Sequence, residues 1–257
     1  MDFINITHAA EESAGLSLQL NPYILGYLGD LPVTSTLLTA WLAIIILISI
    51  ALVVRHKISL VPNKLQSVAE MLIGGAYDYT KETLGDEKQA NRYFPIIISI
   101  FIFVLAVNWM GILPGVGSIG FYDDTGHLTP LLYPSATDLN ITIGLTIVAF
   151  FTIEIAGILS LGLWKYGSKF INFKSPLGFA VGILELISVL ARLVSFSFRL
   201  FGNIFAGKTL ILIAIFFAPY IVPMPIYAYE ILVGIIQAGI FAVLTLFFIK
   251  LAREMPH

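Results

Sequence analysis

Cysteine is absent from the 257 residues, which excludes a disulfide framework, a thiol nucleophile and any Cys-ligated metal, and leaves the redox compartment unreadable. Charge is scarce as well, at 12% of residues against 58% hydrophobic, a composition far from that of a water-soluble domain. Lys plus Arg total 14 and Asp plus Glu 16, so there is no basic excess to hold a nucleic-acid backbone. The histidines, His8, His56, His127 and His257, are scattered, with no second His or carboxylate at metal-binding helical spacing; they read as solvated or interfacial, and no metal or cofactor is expected. The first 36 residues contain neither Lys nor Arg, which argues against a cleavable signal with a basic leading region. Residues 1–36 are therefore expected to form an external tail. With no internal repeat and no linker rich in Pro, Gly or Ser, residues 37–257 are expected to be a single membrane domain.

What the chain has in abundance is apolar length. Crossing about 30 Å of hydrocarbon takes about 20 helical residues, and five stretches approach or exceed that: Leu37–Val54, Phe94–Leu113, Leu139–Trp164, Leu177–Ala218 and Ile226–Ile249. The basic residues between them sort completely. Arg55, Lys57, Lys64, Lys81, Lys88 and Arg92 lie between the first two stretches, Lys165, Lys169 and Lys174 between the third and fourth, and Lys250 and Arg253 after the fifth. The tail and loops 114–138 and 219–225 have none, which predicts the N-terminus outside and the C-terminus inside. Within 55–93, Leu60, Val61 and Pro62 followed by Leu65, Val68, Ala69, Leu72 and Ile73 form a helical apolar stripe, read as an amphipathic helix on the inner surface. The fold class expected is an all-α membrane protein with five hydrophobic helical segments plus this interfacial helix.

The fourth stretch runs from Pro176 to Pro219 with no proline between; as one helix its 42 residues would span about 63 Å, so it must tilt steeply or break. The short uncharged turn Phe217–Pro225 makes the last two stretches a long antiparallel hairpin. Buried in it are Glu185, Arg192, Arg199, Lys208 and Glu230, each costing at least about 2.5 kcal/mol at a helix centre. At 100° per residue, Glu185, Ser188, Arg192, Ser195, Arg199 and Asn203 share one narrow face, a polar stripe through a lipid-soluble helix. Antiparallel neighbours share a constant sum of residue numbers, and Arg199 with Gln237 gives 436 while Lys208 with Glu230 gives 438. Polar residues of the two helices should therefore meet at similar depth, with Gly234 and Ala238 permitting close backbone approach. Lys208 and Glu230 read either as a buried ion pair closing the hairpin or as working groups. Arg199 cannot be explained that way: it has no acid within a turn, Gln237 is neutral, and a guanidinium stays charged, so its counter-charge is expected on another subunit.

Around that arginine, Ser197-Phe198-Arg199-Leu200-Phe201-Gly202-Asn203-Ile204-Phe205-Ala206-Gly207 closely resembles the a subunit of F-type ATP synthases. The resemblance extends to Val61-Pro62 with Lys64-Leu65-Gln66, Asn108 followed by Leu113-Pro114, Pro134-Ser135-Ala136 with Asp138 and Asn140, Glu185 with Ser188, and Gln237-Ala238, covering about residues 37–253. It implies the stator half of a membrane ion motor, not an enzyme by itself, lying in a bacterial plasma membrane or an energy-transducing organellar inner membrane. Its implied partners are a rotating c-ring, a b-subunit peripheral stalk, the other Fo and F1 subunits, lipid, and the transported H+ or Na+. By resemblance, Arg199 is the stator arginine that forces each ring carboxylate to ionise. Asn203, Lys208, Glu230 and Gln237 match an outer half-channel, while Glu185, Ser188 and, as further channel-lining residues, Arg192 and Ser195 match an inner one. Bacterial relatives often carry an acid at the position of Lys208 and a histidine at that of Glu230; here the signs are exchanged, and Glu230 is favoured as the proton relay.

Other features admit simpler readings. Gly202–Thr209 fits G-x-x-x-x-G-K-[ST], but a phosphate loop must follow a buried strand, whereas this stretch lies midway along an apolar segment. Gly115–Gly120 satisfies G-x-G-x-x-G in an external loop and reads as a flexible loop. Asp123 and Asp124 read as solvated. Glu154 reads equally as an outer-channel lining group or a protonated core residue. Asp138 reads as a helix N-cap ahead of a channel-mouth acid. A secondary ion or solute transporter is the alternative function, disfavoured by the missing repeats; a protease lacks a nucleophile and base; an assembly scaffold would not need Arg199.

Overall fold

A computed structural model describes residues 22–57, 62, 64–113, 115–122, 128–170, 176–219 and 221–254. Five of its helices are long and apolar enough to cross a membrane. The order is a hairpin of β1 (Ile24–Leu28) and β2 (Leu31–Thr34), α1 (Ser35–Lys57), α2 (Lys64–Leu84) and α3 (Glu87–Met110). A second hairpin of β3 (Gly120–Tyr122) and β4 (Leu128–Pro130) and a 3-10 turn at Ser135–Thr137 follow, then α4 (Leu139–Leu161), α5 (Leu163–Gly167), α6 (Pro176–Phe217) and α7 (Pro223–Arg253). The two antiparallel ribbons are additions to the expected all-α architecture.

Several boundaries differ from the sequence reading, each for a local reason. The second span begins at Glu87, inside the segment assigned to the surface, because Gly85 (φ +70°) breaks α2 and Asp86 caps α3 by accepting from the Lys88 amide at 3.0 Å. The third span stops at Leu161, since Gly162 takes φ +82°; Trp164 falls on the short α5. In Gly115–Gly120, Gly115 and Gly117 adopt φ of +99° and +85°, the Gly117 amide donates to the Leu132 carbonyl, and Gly120 pairs with Pro130 in the ribbon. α2 leaves Val68, Met71, Leu72 and Ile73 exposed, the apolar surface expected of an interfacial helix. Asp123, Asp124, His8, His127 and His257 lie outside the described residues.

α6 does not break. It is one helix of 42 residues, joined to the 31 residues of α7 by a short turn. α7 occupies the centre, packing most heavily on α3 and α4 and less on α6. Two apolar clusters result. One joins Val104, Ala149, Phe196, Leu200, Ile204, Ala238 and Phe241. The other joins Tyr93, Ile97, Ile153, Tyr166, Leu246 and Ile249. α7 contributes to both, whereas α6 enters only the first.

Candidate functional site

α6 keeps its apolar seam and its polar residues one position apart. Val189, Phe196, Leu200, Ile204 and Gly207 are buried, and Ser188, Ser195, Arg199 and Asn203 each precede one of them, about 100° round the helix. The polar stripe therefore runs along the edge of the core, neither inside it nor on the far side.

Arg199, near the middle of α6, is half-buried. Its Nη2 donates to the Ser195 Oγ at 3.3 Å, one turn earlier, and its Cζ lies 5.8 Å from the Phe196 ring centre. No acid of the described residues pairs with it, and Gln237, expected beside it, makes no hydrogen bond to it. Asn203, a further turn along, has a buried Nδ2 with no partner. Such groups are tolerated at a helix centre only where something else meets them.

At the end of the molecule that holds the hairpin turn, α6 and α7 meet through residues other than the expected pairs. A Cβ at Gly207 would fall on the Glu230 carboxylate, so the absent side chain of Gly207 makes the pocket for Glu230, which is 5% exposed. The pairs Gly207/Glu230 and Phe196/Phe241 share a residue-number sum of 437, the relation of helices running in opposite directions. Lys208 and Glu230 form no ion pair, which corrects the reading that they close the hairpin electrostatically. Lys208, one residue past Gly207, points away from Glu230, and its Nζ lies 3.1 Å from the centre of the Tyr133 ring. Burial, with Tyr23 edge-on at 5.3 Å, pushes the Tyr133 hydroxyl up to about 12, so this ring is neutral at physiological pH. The close approach at Gly234 is made by α3, not α6. The Trp109 Nε1 donates to the Ile231 carbonyl at 3.2 Å, and the Asn108 Nδ2 to the Gly234 carbonyl at 3.3 Å.

The loop beneath this end is tied by Asp138. Its carboxylate accepts from the Asn140 amide at 2.9 Å, capping α4, and from the Thr36 hydroxyl at 2.8 Å. Ser135 donates to the Thr36 carbonyl at 2.8 Å, and the Tyr133 amide to the Thr39 hydroxyl at 3.0 Å. These bonds lock the strand-to-helix junction at Thr36 against the segment that positions Tyr133 under Lys208.

At the opposite end a cavity of about 230 Å³ opens between α4, α5, α6 and α7. Glu154, Tyr166, Lys169, Glu185, Ser188 and Arg192 supply its polar wall. Glu154 thus stands beside Glu185 and Ser188 in this cavity. Sequence reasoning missed Tyr166 and Lys169, which lie outside the apolar runs and carry no pattern of their own. The Tyr166 hydroxyl donates to the Glu154 Oε2 at 2.7 Å, and Lys169 pairs with Glu185 at 2.8 Å. Burial, and donation to that carboxylate, hold the Tyr166 hydroxyl well above the ordinary tyrosine range. The Arg192 guanidinium lies 3.8 Å from the centre of the Phe248 ring, with its Nε unpartnered.

Polar groups thus mark each end of α6, and Arg199, in no ion pair among the described residues, lies near its middle. Residues 37–250 match the family described as ATP synthase A chain. An ATP synthase subunit a from Campylobacter concisus is 37% identical over 206 residues, covering 79% of this chain and 82% of that protein. Another from Moorella thermoacetica is 30% identical over 230 residues, covering 90% and 95%. The chain belongs to the ATP synthase A chain family.

Proposed function

We propose that this chain, as the Fo proton-channel stator subunit of an ATP synthase, passes protons through two aqueous half-channels to and from the carboxylates of a rotating c-ring. It associates with the other ATP synthase subunits in a multi-pass membrane arrangement, the b-subunit stalk holding it still while the ring turns. The observation that carries the proposal is Arg199: a permanent cation near the middle of a 42-residue apolar helix, with no acid paired to it among the described residues. Such a charge lowers the energy of any carboxylate brought beside it in the ionised form, and cannot itself hand on a proton. It therefore compels each arriving ring acid to release its proton and bars direct passage between the half-channels. Its position on the edge of the core leaves it available to a neighbour.

Glu230, against Gly207, is the relay of the outer half-channel, with Asn203 and Gln237 leading toward Arg199. Lys208 on the Tyr133 ring contributes charge beside that path. Glu185, Ser188, Arg192 and Ser195 belong to the inner half-channel. The one-sided sorting of Lys and Arg supports an N-terminus outside and a C-terminus inside, in a bacterial plasma membrane or an organellar inner membrane. The steep tilt of α6 follows from its length, about twice the hydrocarbon thickness. Reconstitution of the whole complex with Arg199→Ala tests the proposal: proton-driven ATP synthesis is lost while the complex still assembles. Retained synthesis would reduce the chain to a scaffold.

A further inference from the structure

The resemblance places Glu185 in the inner half-channel, yet Glu185 is already engaged. Lys169 holds its Oε1 at 2.8 Å, both side chains are largely enclosed, and a carboxylate neutralised by an ammonium is a poor acceptor. The same cavity offers a second carboxylate that forms no ion pair and meets the Arg192 charge only at longer range. Glu154 binds the Tyr166 hydroxyl through Oε2 at 2.7 Å, while its Oε1 is buried and has no partner. A carboxylate oxygen without a donor must be met by water or by a proton. The cavity, at about 230 Å³, has room for several waters at roughly 10–15 Å³ each.

The surroundings favour exchange over permanent pairing. α6 brings Glu185, Ser188 and Arg192 to the wall; α7 brings Phe248, Leu251 and Ala252, none of which titrates; Tyr166 and Lys169 close it from the segment after α4. Arg192, the one cation left after Lys169 is paired, forms no ion pair with Glu154. Gly157, three residues after Glu154 on the same face, has the Tyr166 ring where a side chain would stand. That close approach is what aims the hydroxyl at Glu154.

On the motor reading given above, we propose that Glu154 is the proton-exchanging carboxylate of this cavity, that Tyr166 is its positioning donor, and that Glu185 serves as the counter-ion of Lys169. A proton released from a ring carboxylic acid reaches cavity water. The Glu154 Oε1 takes it, hydronium becoming water, and returns it to water on the aqueous side. No electron moves, and the Tyr166 hydrogen bond to Oε2 persists throughout.

The test uses the complete complex in liposomes, measuring ATP-driven proton pumping and acid-driven ATP synthesis against pH on the side this cavity faces. Glu154→Gln keeps the acceptor for Tyr166 but cannot take a proton, and should slow both at least about tenfold, with Glu154→Asp restoring most of the rate. Glu185→Gln should cost clearly less than Glu154→Gln. Tyr166→Phe removes a donor that favours the ionised carboxylate, and should move the midpoint of the pH dependence upward by about half a unit or more. If Glu154→Gln does not assemble, the Tyr166→Phe midpoint and the Glu154→Asp rate decide alone. A wild-type rate in Glu154→Gln, a larger loss in Glu185→Gln, or an unmoved midpoint in Tyr166→Phe would overturn the assignment. Pumping that survives Arg199→Ala instead overturns the motor reading, and the two failures are distinct.

Discussion

α6 and α7 are consecutive, similarly apolar and joined by a short turn, yet the bundle treats them differently. In their most apolar windows 17% of α6 is buried against 33% of α7. α7 carries Glu230 and Gln237 among long apolar runs and sits at the centre of both apolar clusters. α6 carries the stripe from Glu185 to Asn203 and reaches the core along one seam only. An amphipathic helix normally turns its polar face to water; here that face lies at membrane depth beside exposed apolar residues such as Leu184, Val194 and Phe198. The lesson is that α7 is stabilised by contacts within the chain, whereas the polar edge of α6 finds few partners among the described residues.

Phe196 and Arg199 lie less than one turn apart on α6 and should separate the two roles most sharply. Phe196 is enclosed against Phe241 and Phe248, with ring centres at 4.9 and 5.8 Å, and Phe196→Ala should cost about 3–5 kcal/mol of stability. Thermal unfolding and the yield of assembled complex measure that loss. Arg199→Ala, by contrast, removes only a long 3.3 Å hydrogen bond to the Ser195 Oγ and no ion pair among the described residues, so stability should stay within about 0.5 kcal/mol. Coupled ATP synthesis should nevertheless fall about a hundredfold or more, as when a preorganised charge is removed from a reaction path. A large stability loss in Arg199→Ala would erase the contrast.

Gly207→Ala comes next. Its new methyl lands on the Glu230 carboxylate, and either the helices part or Glu230 moves, at about 1–3 kcal/mol, read as a lower unfolding temperature together with slower pumping. The smallest effect belongs to the Lys208 contact. Tyr133→Leu keeps the apolar bulk but removes the ring face, and the loss of about 1–2 kcal/mol of cation–π attraction should slow pumping severalfold at most. Lys208→Gln in that background should add little, which a double-mutant cycle checks. Strong additivity would mean that Lys208 acts through a group other than Tyr133.

Legibility from sequence followed the range of the forces. Membrane spans and their number came through because apolar length and helical periodicity are local properties that recur along the chain. The Arg199 argument was legible for a similar reason: it needs only a fixed charge in an apolar run with no nearby acid. The partners of Lys208, Glu230, Glu154 and Glu185 were not. Each is chosen by residues far away in sequence or just beyond a span, and a one-residue offset on a helix, as between Gly207 and Lys208, swings a side chain by about 100° onto a different neighbour.

By itself, then, the sequence determined a membrane bundle of five spans with a stranded cation near the middle of the longest, because transfer of apolar and charged groups between water and lipid is set residue by residue. Tertiary structure alone decided that Glu230 rests on Gly207, that Lys208 rests on Tyr133, and that Glu154 and Glu185 share one cavity with different partners. Those outcomes depend on which helix backbones approach closely enough to exclude a side chain, a property of packed surfaces that no single segment carries.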